Sequence, residues 1–265
     1  MALPRLHLFE FNDSSWAPRA VRDTIVESLS RTLGWGHLLS GLVAPFERFV
    51  REAGVTEVLD VCAGAGGPAR ILVEEIRRAG RTPPRFILTD LLPQEEAWEA
   101  ARAAFPEHIQ FIARPIDATR IPADVAGGRA RLIVNAFHHF PPSLAQSILR
   151  DAAMGSAGVF IAEPFVRNPL RFASLVPAGA LAVLANPWLA SRQRLTKAAL
   201  TFATPVILAA SLWDGLVSTM RVYTEAELRA MVAPLGDRFV WTWGRHAFPL
   251  GGLGYYFYGV PRKGS

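Results

Sequence analysis

The sequence contains a single cysteine, Cys62, among 265 residues. One cysteine cannot form an intramolecular disulfide framework, and it excludes metal cages built from several thiolates. Lysine is almost as scarce, because Lys197 and Lys263 are the only two and arginine supplies the rest of the 28 basic residues. No run of adjacent basic residues is longer than two, so the formal net charge of +5 is too diffuse to indicate a nucleic-acid partner. We expect no nucleic acid to bind.

The N-terminus lacks the long apolar run of a secretory signal. Glu10 and Asp13 interrupt residues 1–16 before such a run is complete, so cytoplasmic residence is expected. With 51% hydrophobic and 19% charged residues, the composition is too apolar for a disordered chain and is typical of a large globular domain. Glycine and proline show no short period, which excludes collagen-like and solenoid folds.

Short apolar runs alternate with helical patterns, as in a parallel sheet covered by helices. Strands are predicted at about 57–61, 86–89, 110–112, 132–135, 159–162, 239–243 and 255–260. Helices are predicted at about 68–79, 94–104 and 143–152. Thr224 and Glu227 form the capping-box pattern that begins another helix. The pattern gives an α/β fold with seven strands, of which the last two can pair as a hairpin at one edge.

The sharpest local feature is a buried strand that runs into a glycine turn and then a helix, residues 58–69, VLDVCAGAGGPA. Glycine is needed where the backbone turns tightly and lies against a ligand, whose polar groups then face the helix N-terminus. Gly64 to Ala69 also matches the G-x-G-x-x-A fingerprint of dinucleotide-binding folds. The turn alone therefore leaves two cofactor classes open.

Acidic residues at three successive strand ends favour one of these classes. Asp60 ends the first strand, Asp90 ends the second and Asp117 follows the third. A carboxylate beside the turn repels a pyrophosphate but accepts a hydrogen bond from an ammonium group. Asp90 is placed to accept both hydroxyls of a ribose, and Asp117 to accept the exocyclic amine of adenine. The three acids predict a line of acceptors at the carboxyl edge of the sheet, where open α/β sheets bind ligands.

With these features, residues 55–165 and 213–261 resemble the class I S-adenosylmethionine-dependent methyltransferases, and residues 9–18 and 212–224 resemble a bacterial subgroup of small-molecule enzymes among them. The resemblance implies a doubly wound, Rossmann-like sheet of seven strands, mostly parallel with the last antiparallel, and a helical insertion after the fifth. It implies S-adenosylmethionine as cofactor and S-adenosylhomocysteine as product. No metal is expected, because a hard cation needs several converging carboxylates and the loop after the fourth strand offers none. One departure is that Cys62 replaces the first glycine of the family's D-x-G-x-G-x-G pattern. The implied cofactor-binding residues are Asp60, Cys62, Ala63, Gly64, Gly66, Asp90, Leu91, Asp117, Ala118 and Asn135.

Two histidines follow the fourth strand, in residues 135–142, NAFHHFPP. Methyl transfer is an in-line displacement in which the protein positions the nucleophile, and a hydroxyl acceptor also needs a base. We predict His139 as that base, because it lies farther from the strand, with His138, Glu163 and Asp13 as alternatives. Each of them also has a structural interpretation, since strand-end histidines pack beside the cofactor and strand-end acids cap helices.

The sequence divides into four segments: an N-terminal lead and helical lid at 1–54, a cofactor-binding core at 55–166, an apolar insertion at 167–220, and a C-terminal helix with a strand hairpin at 221–265. We expect the lead and the insertion to cover a small hydrophobic acceptor. The residues predicted to line its pocket are Phe11, Asp13, Trp16, Phe140, Trp213 and Tyr223.

The insertion holds two uncharged stretches, residues 172–191 and 198–212, separated by a basic connector. Prolines in both stretches disfavour a membrane-spanning hairpin. We expect a helix pair with apolar surface left over, covered either by a homodimer partner or by reversible contact with an anionic membrane. The dimer is favoured, because prolines suit a packed, irregular helix pair.

Three functions stay open at this point. The leading hypothesis is methyl transfer to a small hydrophobic acceptor, with oxygen or nitrogen favoured over carbon. A non-catalytic S-adenosylmethionine-binding or scaffold protein would carry the same cofactor residues. An NAD-dependent oxidoreductase would use the glycine turn alone.

Overall fold

The computed structural model of this chain describes residues 3–190 and 192–262. Its main helices, in chain order, are α1 Arg19–Trp35, α2 Val43–Ala53, α3 Gly67–Arg78, α4 Glu95–Ala104, α5 Ala123–Ala126, α6 Pro142–Gly155, α7 Pro169–Phe172, α8 Val176–Leu189, α9 Arg194–Ala198, α10 Val206–Arg221 and α11 Glu225–Val232. Its strands are β1 Glu57–Asp60, β2 Arg85–Leu88, β3 Ile109–Phe111, β4 Ala130–Val134, β5 Val159–Glu163, β6 Phe239–Phe248 and β7 Gly252–Pro261.

The chain forms two compact units. Unit 1 comprises Met1–Leu38, Phe165–Val222 and Ala247–Leu253, and unit 2 comprises Leu39–Pro164, Tyr223–His246 and Gly254–Ser265. Most of the lead, residues 1–38, and the whole insertion, residues 167–220, therefore belong to unit 1, although they are far apart in sequence. Helix α2, which the sequence groups with the lead, belongs to unit 2.

A seven-stranded sheet runs through unit 2 in the order β3-β2-β1-β4-β5-β7-β6. Strands β1 to β5 pair in parallel, and β7 runs antiparallel to β5. Every residue of β4 and β5 is buried, as expected of parallel strands covered by helices on both faces. This topology confirms the predicted doubly wound sheet, and its order reverses between β1 and β4, where such sheets bind ligands.

Strand β6 is longer than the sequence predicts. The prediction ends it at residue 243, but the strand continues to Phe248. A side chain at Gly244 would lie 2.3 Å from the ring of Tyr256, and one at Gly254 would lie 2.2 Å from the ring of His246. These glycines thus make room for rings on the facing strand.

Helices α1, α8 and α10 enclose the core of unit 1, where Val21 and Ile25 meet Val183, Ile207 and Ala210. Buried polar groups fasten these helices together. Asn186 Nδ2 on α8 donates to Glu27 Oε2 on α1 at 3.0 Å, and Nζ of the buried Lys197 lies 2.7 Å from Glu27 Oε1. Asn186 thus lies on the side of α8 that faces α1, whereas Leu181 and Trp188 on its other side are exposed to solvent.

The insertion is more broken than the predicted helix pair. It consists of α7, α8, α9 with a π turn, and α10, and the direction of the chain changes by 83° between Arg194–Ala203 and Val206–Arg221. Pro205 precedes α10 and has no amide hydrogen to continue the preceding turn.

The lead of unit 1 contains turns between residues 11 and 17 and is held by two buried charged side chains of α10. Asp214 accepts hydrogen bonds from the backbone of Phe11 at 2.7 Å and of Asn12 at 3.0 Å. Arg221 lies 3.1 Å from Glu10 Oε1 and 3.0 Å from Asp13 Oδ2. Asp13, a candidate base in the sequence, is therefore engaged in an ion pair.

Candidate active site

The glycine turn of unit 2 connects β1 to α3. Gly64 and Gly66 have φ values of +52° and +78°, in the left-handed region that glycine adopts without strain. A side chain at Gly66 would also lie 3.0 Å from Leu88 Cδ1 and 3.4 Å from Trp98 Cδ1. The turn is fixed from both sides, since Trp98 Nε1 donates to the Gly64 carbonyl at 2.7 Å and the Gly64 amide donates to Asp90 Oδ2 at 2.8 Å.

Sequence reasoning missed Trp98. It is the most voluminous of the fully buried side chains, yet its spacing on α4 indicates only a core residue. Its indole bond to the turn depends on how α4 packs against the sheet. Ala63, which also belongs to the predicted set, is buried and donates its amide to the Thr89 carbonyl at 3.1 Å.

Asp60 ends β1 and is buried. Burial raises the pKa of this carboxyl to about 7, a hydrogen bond from the Cys62 backbone lowers it, and the charge of Asp90 raises it. Asp60 Oδ2 has no hydrogen-bond partner among the described residues. A buried acceptor of this kind costs free energy until a donor reaches it.

Asp90 and Asp117 lie close together beyond β2 and β3. The Ile116 amide donates to the Asp90 carbonyl at 2.9 Å, which fixes the segment of Asp117 beside that of Asp90. Asp90 is partly exposed and also accepts from the Leu92 amide at 3.0 Å, whereas Asp117 is exposed and accepts from the amide and hydroxyl of Thr119. Of their neighbours in the predicted site, Leu91 is exposed and Ala118 is buried.

The carboxylates converge on Cys62. Its side chain is partly exposed, but the surrounding protein raises the pKa of the thiol well above its ordinary value. The charges of Asp60, Asp90, Asp117 and Glu163 raise it further. A thiol with a raised pKa is a poor nucleophile, and the surrounding charge attracts a cation rather than an anion.

Asn135 follows β4 with a left-handed φ of +56°. Non-glycine residues in this conformation are uncommon, and asparagine is among the types that tolerate it best. Its amide donates to the Ala162 carbonyl at 2.9 Å, while its side-chain Oδ1 is buried without a hydrogen-bond partner among the described residues. It is the second buried acceptor at the strand ends.

His138 and Glu163 form a buried pair at the ends of β4 and β5. Glu163 Oε1 accepts from the His138 amide at 3.0 Å, and Oε2 lies 2.9 Å from His138 Nδ1. Burial raises the Glu163 pKa to about 8, although hydrogen bonds from the backbone of His138 and Phe137 and the charge of His139 lower it. His139 is only partly buried, and its ring centroid lies 4.2 Å from that of His138.

His246 on β6 is a further member of this neighbourhood that the sequence does not indicate. Its Nε2 lies 3.2 Å from the Glu163 carbonyl, and burial lowers its pKa to about 4. The contact forms because β6 continues to Phe248 and because Gly254, on the intervening strand β7, leaves room for the His246 ring next to the Glu163 carbonyl.

The residues predicted to line the acceptor pocket fall into two groups. In unit 1, Trp213 Nε1 donates to the Phe9 carbonyl at 3.0 Å, and the rings of Phe11 and Trp16 lie 5.6 Å apart. In unit 2, the Tyr223 hydroxyl donates to the Phe140 carbonyl at 2.6 Å. Within each unit, the structure thus brings predicted pocket residues together.

No protein-family model and no curated protein matches this sequence, but solved structures match its fold. An O-methyltransferase from neocarzinostatin biosynthesis, solved with S-adenosylmethionine and 2-hydroxy-5-methyl naphthoic acid, is 15% identical, with a TM-score of 0.52. The match covers 92% of this chain and 59% of that one. Magnesium protoporphyrin IX methyltransferase from Synechocystis PCC 6803, solved with S-adenosylhomocysteine, is 13% identical over 95% of this chain and 91% of that one, with a TM-score of 0.46.

At a sequence identity of 15%, the similarity shows the fold alone. The strand order, the antiparallel β7 and the glycine turn after β1 are consistent with that fold. The chain has the fold of the class I S-adenosylmethionine-dependent methyltransferases.

Proposed function

We propose that this chain is an S-adenosylmethionine-dependent methyltransferase that acts on a small hydrophobic acceptor. The observation that carries the proposal is a pair of buried oxygens, Asp60 Oδ2 and Asn135 Oδ1, at the ends of the adjacent strands β1 and β4. Neither has a hydrogen-bond partner among the described residues. A ligand that brings donors and positive charge to this edge would satisfy both.

The charge at this edge distinguishes the cofactor classes. A dinucleotide would place an anionic pyrophosphate on the glycine turn, where the Gly64 amide already donates to the Asp90 carboxylate at 2.8 Å and the carboxyl of Asp60 is buried beside it. S-adenosylmethionine carries an ammonium and a sulfonium group, and both are attracted by such a cluster. The carboxylates therefore favour it over NAD.

The residues of unit 2 fit this cofactor. Asp60 would hold its amino group, Asp90 its ribose hydroxyls and Asp117 its adenine amine, while Gly64 and Gly66 let the backbone lie close to it. When bound, S-adenosylmethionine supplies a methyl group on a positively charged sulfur. The chain's task is then to position an acceptor atom in line with that group and to remove a proton where the acceptor carries one.

The two histidines differ in the role we assign to them. His138 is buried and its Nδ1 is engaged by Glu163, so we assign it a positioning role. His139 is partly buried and remains our predicted base for a hydroxyl or amine acceptor. A carbon acceptor would make different demands, and the proposal favours oxygen or nitrogen.

Calorimetry tests the cofactor site. We expect S-adenosylhomocysteine to bind the wild-type chain and NADH not to bind, and we expect Asp60→Asn to weaken binding by roughly 5- to 150-fold, as loss of one buried charged acceptor does. Asp124→Asn is the matched control, because Asp124 lies on α5 and pairs with Arg114. Wild-type affinity in a folded Asp60→Asn variant, or NADH binding in place of S-adenosylhomocysteine, would refute the assignment.

Turnover separates the enzyme from a non-catalytic binder. The chain is incubated with methyl-labelled S-adenosylmethionine and an extract of its source organism, and an organic-soluble labelled product is expected. His139→Asn should abolish labelling while leaving cofactor affinity unchanged. Cofactor binding without any product from repeated extracts would favour the scaffold function.

A further inference from the structure

The outer side of α8 is an apolar surface that faces solvent. Leu181, Leu184 and Trp188 recur at positions i, i+3 and i+7, so they lie on one side of the helix, and all are exposed, Trp188 by 66%. The opposite side is buried, with Val183 in the core of unit 1 and Asn186 bonded to α1. Helix α8 is therefore apolar on both sides, and only one of them is covered by unit 1.

This surface continues beyond the end of α8. The rings of Trp188 and Phe202 lie 5.1 Å apart, and Leu195, in the first turn of α9, is 88% exposed. We call Leu181, Leu184, Trp188, Leu195 and Phe202 the outer apolar face. An exposed patch of this kind marks an interaction surface.

The segment of the chain that carries the outer apolar face has charges of one sign, and the acid that reaches it from α1, Glu27, pairs with the buried Lys197. Residues 164–213 contain five basic residues and no aspartate or glutamate. Arg192 and Arg194 are both exposed, in the connector between Trp188 and Leu195. Unit 1 has ten basic and five acidic residues, whereas unit 2 has eighteen of each, so the whole net charge of +5 belongs to unit 1.

We propose that the outer apolar face binds the surface of an anionic lipid bilayer, with α8 lying in the plane of the interface. Exposed tryptophan and phenylalanine suit the boundary between headgroups and acyl chains, and the connector arginines lie where they can meet lipid phosphates. The anionic surface supplies the negative charge that residues 164–213 lack.

A membrane-spanning arrangement fits this surface less well. Pro169–Leu189 is long and apolar enough to cross a bilayer, and 28% of its most apolar window is buried. However, Asn186 Nδ2 donates to Glu27 Oε2 on α1, so leaving unit 1 for the bilayer core would break that polar bond. Contact through one side of the helix keeps it.

A homodimer through the same face also fits less well, which reverses the preference drawn from the prolines. In a two-fold dimer, identical patches meet. Each copy would bring to the contact a segment whose only charged residues are basic, because residues 164–213 contain no aspartate or glutamate. Like charges at a contact oppose association.

Vesicle sedimentation tests the proposal with the whole chain. We expect binding to phosphatidylcholine vesicles that contain 30% phosphatidylglycerol and little binding to pure phosphatidylcholine. High salt should weaken the binding. The double variant Arg192→Gln/Arg194→Gln should reduce affinity roughly 30-fold at low salt, as expected for the loss of two cations near an anionic surface. The double variant Trp188→Ser/Phe202→Ser should reduce binding at every salt concentration.

Matched controls alter unit 2. Arg48→Gln/Arg150→Gln removes two exposed arginines, and Met154→Ser removes an exposed apolar side chain, so neither should change sedimentation. Asp60→Asn should also bind vesicles normally, which separates this proposal from the cofactor assignment. Failure of the wild-type chain to sediment with anionic vesicles at low salt would overturn the proposal, as would a dimer in analytical ultracentrifugation that requires Trp188 and Phe202.

Discussion

The protonation of Asp60 should control cofactor affinity. Burial raises its pKa to about 7 in the ligand-free chain, whereas a ligand ammonium group requires the ionised carboxylate. Binding below pH 7 must therefore release one proton, and affinity should fall tenfold per pH unit there and level off above pH 7. At pH 5.5 the dissociation constant should be about 30-fold larger than its value above pH 8, which corresponds to about 2 kcal/mol.

Calorimetry with S-adenosylhomocysteine at pH 5.5, 6.5, 7.5 and 8.5 measures this dependence. The same titrations in buffers with different ionisation enthalpies count the proton released. Asp60→Asn should bind more weakly and without this dependence, because its amide does not titrate. An affinity that is constant from pH 5.5 to 8.5 in the wild-type chain would refute the reasoning, since a carboxyl with an ordinary pKa of 3.8 is ionised throughout that range.

Three further perturbations test the fold around the site. Gly66→Val should lower the melting temperature and abolish cofactor binding, because the left-handed φ alone costs a non-glycine residue about 1–2 kcal/mol. Unchanged melting and binding would contradict the role assigned to the glycine turn. The pKa values of Asp60 and Glu163 are raised in the folded chain, so it holds protons that the unfolded chain releases. The free energy of unfolding without ligand, measured with urea, should therefore fall as the pH rises from 6.5 to 8. Asp60→Asn should make this fall smaller. In unit 1, Glu27→Leu should destabilise the chain by roughly 2 kcal/mol more than Lys197→Met, because Glu27→Leu leaves the buried Lys197 ammonium without its carboxylate. Equal urea midpoints for the two variants would argue against this ion pair.

The sequence by itself determined the sheet and the cofactor edge. Apolar residues recur every two positions in a half-buried strand and every 3.6 positions in a helix. Such recurrence depends only on neighbouring residues, so the strands and helices of unit 2 can be predicted locally. The glycine turn and the acids at three strand ends are local too, and parallel strands bring their carboxyl ends to one edge, which places Asp60, Asp90 and Asp117 around Cys62.

Tertiary structure alone decided the partners of individual side chains. The pairing of His138 with Glu163 and the indole bond from Trp98 to Gly64 join residues 25 and 34 positions apart, and both depend on how helices and strand ends pack. The union of the lead with the insertion depends on Asp214 and the backbone of Phe11, which are 203 residues apart. No local pattern encodes such contacts, because a side chain's partner is set by where the packed elements end.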